Sequence, residues 1–131
     1  PVLLVWDEVK RETRDPEHGH NVVFHEFAHK LDMLDGSADG TPLLPTPEEY
    51  QRWSEVCSKE YLELCERVEH GRPTFFDSYA ATDEAEFFAV VTETFFCKPE
   101  NMKHQHPKLY QVLQDFYRQD PAQKVSTNRL P

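Results

Sequence analysis

The feature that most constrains this chain is a pair of histidines, His25 and His29, with Glu26 beside the first, in the pattern H-E-x-x-H. The surrounding residues 22–34 are mostly apolar and predict a helix. Because an α-helix repeats every 3.6 residues, the two imidazoles lie one turn apart on one face and can reach the same ion. Burying these polar groups is costly unless something binds them. The pattern therefore predicts a metal site on a helix, with Glu26 placed to act as a general base.

The composition excludes several classes of partner. The net charge of −10 argues against nucleic-acid binding, which requires a basic surface. No apolar run approaches the roughly 18 residues of a membrane span, and no basic segment followed by an apolar one indicates a signal peptide. Cys57, Cys65 and Cys97 form no C-x-x-C pair and are typical of free thiols in a reducing compartment. We therefore expect a cytoplasmic protein without nucleic-acid or membrane partners.

The hydrophobic pattern predicts one mainly α domain, of α+β class because it includes at least one strand. The strand is the continuous apolar run 2–6, which a polar loop at 10–20 follows. Thr46 and Asp83, each at the start of a helical pattern, predict helix caps. About four helices are expected, at 20–34, 47–70, 84–97 and from 107 onward. The absence of an initiator Met before Pro1 predicts that residues 1–131 are a single domain cut from a longer protein.

A third metal ligand is needed, because a catalytic zinc site usually has three protein ligands and a water. No third histidine follows the motif at the spacing H-E-x-x-H-x-x-G-x-x-H. The third predicted helix offers Glu86, which lies in an apolar run where an ionised carboxylate is costly unless it is paired or bound to metal. We predict one Zn²⁺ per chain, held by His25, His29 and Glu86. The alternative is that Glu86 only completes a capping box with Asp83.

Two further carboxylates are candidates for hydrogen bonds to these ligands. Glu93 lies seven residues after Glu86, on the same helix face two turns away, and is predicted to accept a hydrogen bond from a ligand N–H. Asp32 follows His29 by three residues, and either the same role or a simple position on the helix surface explains it. The other histidines of the second half are predicted to be solvated, the last two of them in a polar turn: His70, His104 and His106.

Several segments resemble the Mlc titration factor A family of bacterial zinc peptidases. The similar segments are residues 6–9, residues 19–32 with Asp35-Gly36 after them, and residues 84–90. The resemblance extends from residue 3 to about residue 120. Because family members have a further N-terminal portion, it implies that this chain is the C-terminal part of a longer protein. The family is named for the capture of a transcriptional repressor of glucose uptake genes, which implies such a repressor as a partner.

Residues 78–88 are also similar to the matching part of the anthrax lethal factor protease domain. There the glutamate of the A-E-F-F run is the third zinc ligand, and a tyrosine seven residues earlier assists catalysis. The resemblance thus implies Glu86 as ligand, which the residues already favour, and Tyr79 as a catalytic residue. From the sequence alone, Tyr79 fits equally well as a core tyrosine whose hydroxyl is hydrogen-bonded.

The predicted function is that of a zinc peptidase of gluzincin type, in which Glu26 activates a water on the zinc and Tyr79 stabilises the developing oxyanion. Resemblance implies aminopeptidase-like cleavage of short peptides. The alternative is a regulatory module that captures a repressor, with a structural or vestigial zinc site. A structural site normally has four protein ligands and needs no general base, so the three-ligand set and the intact Glu26 favour the peptidase.

Overall fold

Helices make up most of the described part of the chain, residues 22–35 and 39–123 in a computed structural model. They are α1 (Val22–Asp32), α2 (Pro47–Glu69), α3 (Glu84–Cys97), α4 (Pro99–Gln105) and α5 (Pro107–Tyr117), with 3-10 turns at Met33–Asp35 and Ser78–Ala81. The prediction of a mainly α protein is confirmed for these residues, which include no strand. The predicted strand at 2–6 and loop at 10–20 lie outside them. None of the helices in the described ranges is long and apolar enough to cross a membrane.

The predicted caps start α2 and α3. The Thr46 hydroxyl accepts a hydrogen bond from the N–H of Glu49 at 3.1 Å, and Pro47 occupies the first position of α2. The Asp83 carboxylate accepts a hydrogen bond from the N–H of Glu86 at 2.8 Å. Each cap satisfies a backbone donor that has no partner inside its helix. The start of α3, where Glu86 lies, is therefore fixed by a side chain other than Glu86.

Helix α3 is the centre of the fold and is buried on nearly all sides. Its residues from Phe87 to Phe95 are all buried, and Phe96 stacks on Phe24 of α1 with ring centroids 4.7 Å apart. Helix α5 covers another side, where the Thr92 hydroxyl lies 2.9 Å from the hydroxyl of Tyr117. Because α3 is a core helix, any charged side chain on it needs a partner that offsets its desolvation.

The segment between α3 and α5 is helical where a polar turn was predicted, so that prediction is wrong. Pro99 and Pro107 each occupy the first position of a helix, where proline is favourable because its missing N–H would have no partner there. The prediction that His106 is solvated is also wrong. Its side chain is half-buried, and Nδ1 lies 2.8 Å from the Glu60 carboxylate of α2. The contact crosses 46 residues of sequence, so no local pattern could have indicated it.

Asp32, at the end of α1, holds the loop that leads to α2. Its side chain is completely buried, and both carboxylate oxygens accept the Gly40 N–H at 2.9 Å. The helix-surface interpretation of Asp32 is therefore wrong. Gly40 has φ +81, and a Cβ at this position would lie 2.4 Å from the Glu84 carbonyl oxygen. Gly40 thus contacts both the end of α1 and the start of α3, and there is no room for a side chain at this position.

Replacing Gly40 by alanine is expected to destabilise the chain by about 3 kcal/mol, because left-handed strain adds to overpacking against Glu84. Gly71→Ala is the matched control. Gly71 also has a positive φ, of +65, but a Cβ there would meet nothing within 4 Å. Its cost should be limited to about 1 kcal/mol of backbone strain. Urea unfolding of the two variants measures the difference, and equal losses of stability would show that the close approach to Glu84 has no energetic weight.

Candidate metal centre

Helix α1 presents both histidines of the motif on one side. Their rings lie 4.9 Å apart, inclined at 72°, and both side chains are half-buried. Phe24, Phe27 and Ala28 are buried and anchor the helix to the core. The histidines lie at the margin of this buried face, where their ring nitrogens can approach the first turn of α3.

Glu86 in that turn faces both histidines. Its Oε1 lies 3.4 Å from Nε2 of His25 and is also in contact with Nε2 of His29. One potential ligand atom from each of the three residues lies within 4.8 Å of the other two. Asp83 caps α3 through the backbone N–H of Glu86, whereas the Glu86 carboxylate, which a capping box would direct to the Asp83 N–H, meets the histidines.

The donor atoms suit a small divalent cation. Ligands on a tetrahedral zinc ion, with bonds of about 2.0–2.1 Å, lie about 3.3 Å from one another. The 3.4 Å between His25 Nε2 and Glu86 Oε1 matches that spacing. Two imidazoles and one carboxylate are also a donor set that catalytic zinc sites use, with a fourth position left for water. The donor set is therefore chemically suited to a divalent cation, and one of its donor–donor distances has the spacing that zinc requires.

Glu93 lies on the other side of the His25 ring. It is buried, and its Oε1 is 3.2 Å from Nδ1 of His25. A carboxylate can only accept a hydrogen bond, so Nδ1 carries the proton and donates it. In the neutral ring Nε2 is then left with its lone pair, directed toward Glu86. Glu93 thus selects the tautomer of His25 that can bind a metal.

Tyr79 reaches the site from the 3-10 turn Ser78–Ala81. Its ring centroid lies 6.3 Å from that of His25, and its side chain is exposed. A hydrogen bond to the Glu86 carboxylate raises the pKa of the Tyr79 hydroxyl, and the nearby negative charge of Glu86 acts in the same direction. The hydroxyl therefore keeps its proton to a higher pH than a free tyrosine does.

The 3-10 turn that carries Tyr79 lies between the predicted helices 47–70 and 84–97 and was not predicted. Asp77 caps this turn by accepting a hydrogen bond from the N–H of Tyr79 at 2.9 Å. An aspartate two residues before a tyrosine was the available signal, because aspartate often binds the backbone two residues further on. The remaining predicted residue, Glu26, is exposed and lies next to His25 in α1.

Comparison with known proteins agrees with this chemistry. Residues 1–118 match the family described as glucose-regulated metallo-peptidase M90, and the chain belongs to that family. It is 46% identical over 120 residues to an uncharacterized protein of Synechocystis sp., a match that covers 92% of this chain and 44% of the relative. The family resemblance found in the sequence is thereby confirmed.

Two proteins named Mlc titration factor A are also similar. The identity is 38% over 133 residues with that of Klebsiella pneumoniae, which covers 99% of this chain and 49% of the relative. It is 36% over 131 residues with that of Salmonella schwarzengrund, with coverage of 98% and 48%. The chain thus spans about half the length of these relatives. Membership of a metallopeptidase family implies a metal, and the cluster of His25, His29 and Glu86 offers a place for it.

Proposed function

We propose that this chain is a catalytic domain of a zinc-dependent peptidase of gluzincin type, with His25, His29 and Glu86 as the zinc ligands. The observation that carries the proposal is the convergence of these three side chains from two helices, with Glu26 next to one of them. A zinc ion bound there would supply Lewis-acid activation of water and of a peptide carbonyl. The chain's own residues would supply the proton transfers and the orientation.

Glu26 is the general base in this proposal. Its carboxylate takes a proton from the attacking water and returns it to the amine that leaves when the peptide bond breaks. Its exposure supports the role, because a base that serves a substrate must be reachable from solvent. In this proposal Glu26 acts on the same reacting centre as His25 and His29, which belong to the same helix.

Tyr79 is proposed as the donor to the oxyanion that develops on the peptide carbonyl. The position of the ring supports it, because its centroid lies 6.3 Å from that of His25. In the structure this hydroxyl is engaged with Glu86. Donation to a substrate would therefore require it to exchange one acceptor for another.

The proposed substrates are short peptides, cleaved in an aminopeptidase-like manner. The test is hydrolysis of short peptides with free and with blocked N-termini by the chain loaded with one equivalent of zinc. Activity should require the metal, disappear with a chelator and return when zinc is added back. Because the chain spans about half of its relatives, a full-length relative is assayed in parallel. Hydrolysis that a chelator leaves intact in both proteins would contradict the proposal.

A second candidate function is the capture of a transcriptional repressor, which the name of the relatives, Mlc titration factor A, favours. This function needs a binding surface and not a reactive centre. Capture should therefore persist after zinc is removed, whereas hydrolysis should not. Co-purification of the repressor with the chain, with and without a chelator, separates the two functions.

Replacing Glu93 by glutamine is expected to weaken zinc binding about tenfold. The amide oxygen still accepts a hydrogen bond from His25 Nδ1, but without the negative charge that makes the imidazole a better ligand. Competition with a chelating dye measures the affinity. Thr94→Val is the matched control, since Thr94 is the buried neighbour of Glu93 and its hydroxyl bonds only to the Val90 carbonyl among the contacts described. An equal effect of both substitutions would assign the loss to the core packing of α3.

A further inference from the structure

A cavity of about 460 Å³ lies between α3 and the chain segment 72–78. Its volume is within the range of about 300–1,000 Å³ that is typical of ligand sites. Helix α3 lines the cavity from Val90 to Lys98, which directly follows the last residue of the helix. Glu93 is part of this wall, and its carboxylate contacts His25. The cavity therefore begins beside the candidate metal centre and extends along α3 away from it.

The opposite wall of the cavity leads to the same centre. It ends at Ser78, which precedes Tyr79 in the 3-10 turn. Phe75 and Phe76 belong to this wall, and together with Val90 of α3 they give the cavity an apolar part. An extended peptide with small side chains would find apolar contacts there, next to residues of the proposed peptidase centre.

The charged groups that line the cavity differ in their pairing. Asp77 accepts a backbone N–H at 2.9 Å, and Glu93 lies 3.2 Å from Nδ1 of His25, so both carboxylates have donors. Arg72, which is exposed, and Lys98, which is half-buried, form no ion pair with any residue of the described ranges. The cavity thus has two cations without a counter-charge, in a chain of net charge −10. A carboxylate is the ligand group that complements them.

We propose that this cavity binds the C-terminal end of a peptide substrate, whose terminal carboxylate pairs with Arg72 and Lys98. The inference rests on the proposed peptidase function and adds a preference to it. Peptides with a free C-terminus are better substrates than peptides whose C-terminus is blocked, because only the free carboxylate carries the negative charge.

The length of α3 sets the length of peptide to which the preference applies. Glu86 and Lys98 are twelve positions apart in the sequence. At 1.5 Å per residue, α3 separates them by about 18 Å, a distance that an extended peptide covers with about five residues. A peptide of about five residues can therefore reach both the metal centre and the two cations, whereas a tripeptide is too short.

Pentaalanine and its C-terminal amide are suitable probes. Calorimetry of their binding to the zinc-loaded Glu26→Gln variant measures affinity without hydrolysis, because this variant lacks the proposed base. The acid should bind about tenfold more tightly than the amide, as expected for hydrogen bonds to a charged group. In the unmodified chain, kcat/KM for pentaalanine should show the same preference. Trialanine should show none, and a tenfold preference for its acid would place the carboxylate site elsewhere.

Three variants in the same background locate the carboxylate. Arg72→Gln and Lys98→Gln should each reduce the preference to about threefold, because one of two equal contributions to a tenfold factor remains. Lys59→Gln is the matched control. It removes the same charge from an exposed position of α2 that does not line the cavity, and it should leave the preference at about tenfold.

The outcomes separate this proposal from the proposed function. If the chain hydrolyses peptides but binds acid and amide equally, the cavity proposal is wrong and the peptidase stands. If it hydrolyses no peptide but prefers the acid, and Arg72→Gln weakens that preference, the peptidase proposal fails while the cavity still binds a carboxylate. A preference that Lys59→Gln lowers as much as Arg72→Gln results from net charge and overturns the cavity proposal. Absence of binding of either peptide up to about 10 mM also overturns it.

Discussion

Replacing Glu26 by glutamine is expected to lower peptide hydrolysis at least about 10²-fold, the lower range for the loss of a general base. Glutamine has nearly the same shape as glutamate, and Glu26 is not among the three residues whose donor atoms converge. Zinc content should therefore remain at the level of the unmodified chain. The amide has no proton affinity at neutral pH, so it can neither accept the proton of water nor deliver one to the leaving amine. Single-turnover hydrolysis together with metal analysis of the same samples measures both quantities.

Lys30→Gln is the matched control for this substitution, because Lys30 is another exposed residue of α1. It should keep both zinc and activity. If Glu26→Gln hydrolyses peptides as fast as the unmodified chain, the peptidase mechanism is wrong and repressor capture becomes the leading function. If both variants lose activity together with zinc, the loss results from destabilisation of α1. The role of Glu26 as a base is then unsupported.

The local parts of the site were predictable from the sequence, since they depend on the helical repeat alone. His25 and His29 share a face because they are four residues apart, and Glu86 and Glu93 share a face because they are seven apart. The apolar residues next to Glu86 in the sequence then indicated it as a metal ligand, because an ionised carboxylate in an apolar environment requires a partner. These arguments need no knowledge of how α1 and α3 pack against each other.

The non-local parts were not predictable in the same way. Tyr79 and His25 are 54 positions apart in sequence, and their approach depends on the position of the 3-10 turn that carries Tyr79. Only the resemblance to another protease indicated a role for Tyr79. The hydrogen bond from Gly40 to Asp32 follows from a loop conformation, and the His106–Glu60 contact follows from the packing of α2 against the α4–α5 junction. Helix α4 was not predicted, because Pro99 is compatible both with the end of one helix and with the start of the next.

Helix α3 contacts the His25 ring through two carboxylates, one on each side of the ring. Glu86 meets the Nε2 side of the His25 ring and Glu93 meets the Nδ1 side, so one helix contacts both nitrogens of a histidine that belongs to another. A shift of α1 along α3 would break both contacts at once. In the proposed site, the burial of α3 would therefore serve zinc binding as well as stability, because it fixes the two carboxylates relative to each other.

Replacing Glu86 by alanine is expected to weaken zinc binding by about 10²- to 10³-fold. Structural zinc sites with four ligands bind with roughly 10–16 kcal/mol, so one ligand accounts for about 3–4 kcal/mol, and each 1.4 kcal/mol is a factor of ten. The fold should survive, because Asp83 caps α3 through the backbone N–H of residue 86 and not through its side chain. Circular dichroism should be unchanged while competition with a chelating dye reports the weaker binding.

Two further variants decide whether Glu86 is the ligand. Glu84→Ala removes an exposed carboxylate from the same helical turn, and it should leave the zinc affinity near that of the unmodified chain because its side chain is not in the converging cluster. Glu93→Ala should have an effect intermediate between those of Glu84→Ala and Glu86→Ala, because it removes a hydrogen bond to a ligand while all three donor atoms remain. If Glu93→Ala eliminates zinc binding and Glu86→Ala does not, Glu93 is the third ligand, and the convergence of Glu86 with the two histidines is only an ion-pair contact.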